Sequence, residues 1–153
     1  GVKKSLALRM TPNLSRVVIR DPRPPSTMAS VKKLLVMTAA TVAGAGCAEL
    51  VRRTPYSSRI SALSLVGVSV VYPLTRRGWT VSDGGHLAFA TAAVAITATA
   101  NESVPARRVV AGGWLAHAVM DLAVGHGPDS RLPGWYPAVC AGFDIGYAAR
   151  LAV

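Results

Sequence analysis

Charge is scarce in this sequence, and acid is scarcest. Seven Asp and Glu stand against seventeen Lys and Arg in 153 residues, and charged residues make up 16%. A soluble domain usually carries about 25%, so water is a poor solvent for much of this chain. Cysteine is nearly absent. Cys47 and Cys140 both fall in apolar runs and no CxxC occurs, which excludes a metal knuckle and a redox dithiol and leaves two buried free thiols as the expectation. There is no HExxH, HxxxH or Glu-x-x-His pair, no nucleophile elbow, no phosphate loop and no dinucleotide fingerprint. No standard catalytic motif therefore names a reaction.

What is present is apolar surface. Hydrophobic residues reach 51% and mean hydropathy is +0.37. The length suits one domain. Five apolar runs cover 34–51, 60–75, 84–100, 109–124 and 135–153, separated by charged or Gly/Pro-rich links. Soluble helices show a charged outer face at a period of 3.6; these runs are apolar or small all round. They are too long and too rich in Ala and Gly for barrel strands. The expected fold is all-α, a polytopic transmembrane helical bundle of about five spans over residues 30–153. The second run is short, so Arg59, Arg76 and Arg77 must snorkel to the interface. Tyr72, Trp79 and the pair Trp135–Tyr136 suit an aromatic belt. Asp83 is the expected N-cap of the third run, with Ser82 the alternative, and His86 in its first turn reads as interfacial. Gly112–Gly113 reads as packing.

Residues 1–29 form a basic, largely irregular arm in this reading. Pro24–Pro25 excludes a continuous helix there. Lys3, Lys4, Arg9, Arg16, Arg20, Arg23, Lys32 and Lys33 are opposed only by Asp21. Such charge suits anionic lipid headgroups of the cytoplasmic leaflet, at about 1 kcal/mol per basic residue. It predicts a cytoplasmic N-terminus and a multi-pass protein of the bacterial inner (plasma) membrane. Nucleic acid is not an expected partner, because no aromatic-and-basic stripe or zinc spacing accompanies the charge. Met28 opens MASVKKLLVM, which has the form of a start with its own basic flank. The first run has two readings. Lys32–Lys33, an apolar core and GAGCAE fit a signal with cleavage at Cys47. Gly44, however, stands where such sites favour a larger aliphatic, so a retained helix is preferred. Its Ala43, Gly44, Ala45, Gly46 and Ala48 would admit a close neighbour.

The chemistry concentrates in Trp114 to Tyr147, two apolar runs joined by a turn. His117 and Asp121 are four apart on one helix face. Tyr136, Cys140, Asp144 and Tyr147 form a second stripe at helical spacing. A short turn makes the two helices antiparallel neighbours, and His117 is the better depth match for Asp144. Ionisable groups inside membrane-length segments need partners and usually serve function. Three readings follow: structural pairing of His117 with Asp121, a metal or cofactor site, or a proton or substrate pathway. Metal candidates are His117, Asp121, His126 and His86, since imidazole and carboxylate suit zinc or iron.

Trp114, His117, Asp121 and His126, then Trp135–Tyr136, Cys140 and Asp144, resemble a family of small bacterial, actinobacterial-looking integral membrane proteins of uncharacterised function. Those proteins carry a Trp-x-x-His-x-x-x-Asp helix followed by a Cys-x-x-x-Asp helix. Where they have adjacent histidines at the turn, this chain has only His126, which argues against a two-histidine ligand role. The resemblance implies a membrane-helical fold and no particular activity. The expected function is a transport component or accessory subunit, in a larger membrane complex or a homo-oligomer. The alternative is a membrane-embedded metal-dependent enzyme.

Overall fold

The computed structural model describes residues 27–99, 101–125 and 130–153. Helices α1 (Thr27–Arg52), α2 (Ser57–Thr75), α3 (Val81–Thr99), α4 (Val104–Ala123) and α5 (Tyr136–Ala152) account for most of them, and no named strand occurs among the described residues. The fold is all-α. The basic arm lies outside the described residues up to position 26; residues 27–29, expected to be irregular, are already helical. They continue without interruption into a stretch of Lys, Leu, Val, Met and Ala free of Pro, which favours helix.

Several helix ends have an identifiable stop. Ser103 caps α4 by accepting the Ala106 N–H at 3.3 Å, with Pro105 in the first turn. Gly125 ends α4 at φ 61°, where its N–H donates to the Asp121 carbonyl at 3.1 Å. At α3 the expected N-cap is corrected. Asp83 sits inside the first turn and its Oδ2 reaches back to the Thr80 N–H at 2.6 Å, the acidic half of a capping box.

The helices pack in the spatial order α1, α5, α4, α2, α3. Met37 meets Gly142, Thr41 meets Gly146 and Glu49 meets Arg150, so α1 and α5 run parallel. Trp114 meets Tyr147 while His117 meets Asp144, so α4 and α5 run antiparallel. The α1–α5 contact is backbone-close. A Cβ at Gly44, Gly142 or Gly146 would overlap the carbonyl of Phe143, Met37 or Thr41 respectively. Gly142-x-x-x-Gly146 on one side and Ala40, Gly44, Ala48 on the other form a small-residue seam. At its far end Glu49 Oε2 accepts from Arg150 Nε at 2.8 Å, and Arg53 Nε donates to Glu49 Oε1 at 3.1 Å.

The interior mixes an apolar core with many polar groups, and much of the surface is apolar. Buried positions include Ser57, Ser58, Ser61, Ser69, Asp83, His86, His117, Asp121 and Asp144 beside many alanines. Leu34, Leu35, Val42, Leu63, Leu74, Val109, Val119 and Leu122 face outward. Two helices, Ser30–Arg52 and Ser57–Thr75, are long and apolar enough to cross a membrane.

Three local expectations are corrected. Tyr72 is not in an interfacial belt: it is 1% exposed and its ring lies 4.9 Å from that of His86. His86 is likewise fully buried rather than interfacial, because α3 turns its first turn onto α2. Cys47 is exposed rather than buried, and Cys140 is half-buried. Trp79 and Trp135 do remain exposed.

Candidate functional site

One buried cluster gathers chemistry from four helices. The i, i+4 spacing puts His117 and Asp121 on the inner face of α4. The antiparallel α5 brings Asp144 to the level of His117, and Cys140 and Tyr136 to the levels beyond. Tyr72 of α2 and His86 of α3 close the opposite side.

His117 Nδ1 lies 2.8 Å from Asp144 Oδ2 and 3.7 Å from Asp121 Oδ2. The primary partner of His117 is therefore Asp144, on the neighbouring helix, and not the Asp121 that shares its own. One ligand atom from each of His117, Asp121 and Asp144 lies within 4.8 Å of the others. The His86 ring packs edge-on to His117 at 5.7 Å, and Phe89 flanks His117 at 6.0 Å. Tyr136 meets Tyr72 edge to face at 6.0 Å.

The cluster is not internally satisfied. Both Asp121 carboxylate oxygens, both His86 ring nitrogens, His117 Nε2 and the Tyr72 hydroxyl are buried without a hydrogen-bond partner in the protein. Leaving a buried polar group unsatisfied costs about 1–3 kcal/mol, and more for a charge. Folded proteins tolerate such groups rarely, and mostly where a ligand or a function uses them.

A cavity of about 380 Å³ leads to this cluster from the end where α1 starts. It is lined by Asp121, Gly125, Pro137 and Lys33 among others. A larger apolar groove of about 670 Å³ lies beside it, between Lys32, Lys33, Val36, Trp135 and Ala138.

Below the cluster the packing is ordinary and complete. Trp114 stacks on Tyr147 at 4.3 Å, its Nε1–H donates to the Ser61 carbonyl at 3.2 Å, and the Tyr147 hydroxyl bonds Ser61 Oγ at 3.0 Å. Tyr147 thus serves the core, one level away from the His/Asp group. Elsewhere, two acidic groups have clear partners. Asp83 faces Arg76 at 3.5 Å. Glu102 accepts the Ser58 N–H at 2.8 Å, the Arg59 N–H at 3.3 Å and the Ser57 hydroxyl at 3.2 Å, capping α2 from the α3–α4 link. Burial pushes the Glu102 carboxyl up, but these donors outweigh it and hold it below the usual range.

Of the four metal candidates, His117 and Asp121 come together. His86 lies alongside, outside the three-residue ligand group, and His126 lies outside the described residues. Asp144, expected in the polar stripe, takes the third ligand position. Sequence reasoning missed Tyr72, the Gly142-x-x-x-Gly146 seam and the Glu102 cap. The glycine pair was visible as a motif; the other two had no local signal. No family model matches this chain, and neither the curated proteins nor the solved structures compared with it give a match.

Proposed function

We propose that this protein is a small multi-pass membrane protein whose five helices cross together, and that it acts as a transport component for a small cation. The observation that carries the reading is the inverted distribution of polarity. Among the described residues, nine polar or charged residues are buried beside sixteen hydrophobic ones, mostly alanines, while twenty-two large hydrophobic residues are exposed. Water would reverse that arrangement; lipid favours it. Hydropathy alone singles out two spans because it averages over each helix. In α3, α4 and α5 it mixes inward His and Asp with outward Leu and Val. At 1.5 Å per residue the 17 residues of α5 reach about 26 Å, close to the hydrocarbon thickness.

Lys32 and Lys33 at the start of α1, beside the apolar groove, suit a phospholipid phosphate and its chain. With the basic arm preceding them, they favour a cytoplasmic N-terminus. The transport reading is tested in proteoliposomes loaded with cation-sensitive dyes. Wild-type protein should pass a cation and Asp144→Asn should not; equal flux through both removes Asp144 from the pathway. The second reading, a metal-dependent membrane enzyme, is favoured by the convergence of His117, Asp121 and Asp144. Turnover of an added substrate without flux would select it. An accessory subunit would instead show neither activity alone and would co-purify with a larger complex.

A further inference from the structure

We infer that His117, Asp121 and Asp144 bind one divalent first-row transition cation, reached through the cavity that opens beside Lys33. The inference rests on the reading of this cluster as a cation site and names the cation's class.

Charge balance comes first. Among the described residues, the only basic group within ion-pair distance of Asp121 or Asp144 is His117. The nearby Arg76 is matched by Asp83. Two carboxylates and one imidazole are thus buried together, each about 1% exposed. A divalent cation on a neutral imidazole and two carboxylates leaves no net charge, which removes the main penalty for burying them.

Geometry comes second. Metal–ligand bonds of about 2.0–2.2 Å place ligands roughly 3–3.5 Å apart around a tetrahedral ion. The three donor atoms already lie within 4.8 Å of one another, so small side-chain rotations complete the shell. Neither Asp121 oxygen is in a geometrically formed hydrogen bond, and its contact with His117 is long at 3.7 Å. His86, buried with two unpartnered nitrogens beside His117, is an independent sign that the protein alone does not complete this space. One nitrogen and two carboxylate donors select the manganese-to-zinc series. Calcium needs six to eight oxygens, and a cuprous ion prefers thiolate or thioether; Cys140 is not in the group.

The cavity supplies the route. Of the three ligand residues, Asp121 is the one that lines it. Lys33 stands at the same cavity with its ammonium group, so it should slow entry without changing the final ligand shell.

The test uses tag-free full-length protein in detergent, stripped by a chelator and titrated with Co²⁺. Expected are one Co²⁺ per chain, visible ligand-field bands without a thiolate charge-transfer band, displacement by Zn²⁺ and none by Ca²⁺. Asp121→Asn and Asp144→Asn should each weaken binding by about 100-fold or more, while Cys140→Ser leaves it unchanged. Asp121 is held more loosely than Asp144, at 3.7 Å from His117 against 2.8 Å, so its variant stays informative if Asp144→Asn folds poorly. No saturable binding to the wild type, equal binding in both Asp variants, or a thiolate band would each overturn the inference. Stoichiometric binding without flux supports it and sinks the transport reading. Flux without binding sinks the inference alone.

Discussion

The two sides of α5 are built on opposite rules. Towards α1 it presents Gly142 and Gly146, and the backbones approach until no side chain fits between them. That seam ends in Glu49 and Arg150, each the other's partner. Towards α4 it presents Asp144 into a cluster where Asp121 and His86 have no hydrogen-bond partner. One side is finished by the protein itself and the other is not. Burial alone does not draw this line: Asp83 is as buried as Asp121, yet its Oδ2 accepts from the Thr80 N–H at 2.6 Å and its Oδ1 faces Arg76 at 3.5 Å, whereas the contact of Asp121 with His117 is long at 3.7 Å.

The largest expected effect is on the finished side. Gly146→Val drives a branched side chain into the Thr41 carbonyl and should cost about 3 kcal/mol, seen as a large drop in thermal melting of the solubilised protein. A normal melt would mean the helices can slide apart freely.

On the unfinished side, Asp144→Asn should abolish cation flux and lower metal affinity by about 100-fold or more while the melting temperature changes little. A collapse in stability with metal affinity intact would make Asp144 a structural residue like Glu49.

The signs of two carboxylate neutralisations should differ. Asp121→Asn removes a buried charge short of partners and should stabilise the metal-free protein by about 1 kcal/mol. Glu49→Gln breaks the contacts to Arg150 and Arg53 and should lower the melting temperature slightly. Matching signs would erase the distinction between the two sides of α5.

The smallest effect belongs to Glu102. Its folded carboxyl titrates below the unfolded one, so its contribution is complete above the usual carboxylate range and is lost as pH falls through the folded value. Melting of the wild type should therefore decline at acid pH more steeply than that of Glu102→Gln. Parallel profiles would show that the α2 cap contributes nothing.

The sequence determined what can be read from one helix at a time. Runs without charge gave five helices near their observed positions, and four-residue spacing put His117 with Asp121 and Asp144 with Cys140 on common faces. Depth along two antiparallel helices even matched His117 to Asp144. Only the tertiary structure decided which side of each helix meets which neighbour. Tyr72 and His86 carry no local mark distinguishing a lipid belt from a core; the rotation of α2 and α3 against α4 put them inside. Glu102 became the cap of α2, more than forty residues away, because two links meet at one end of the bundle. Helix formation follows from spacing along the chain, whereas partnership is set by the rotation and order of packed helices, which no single segment encodes.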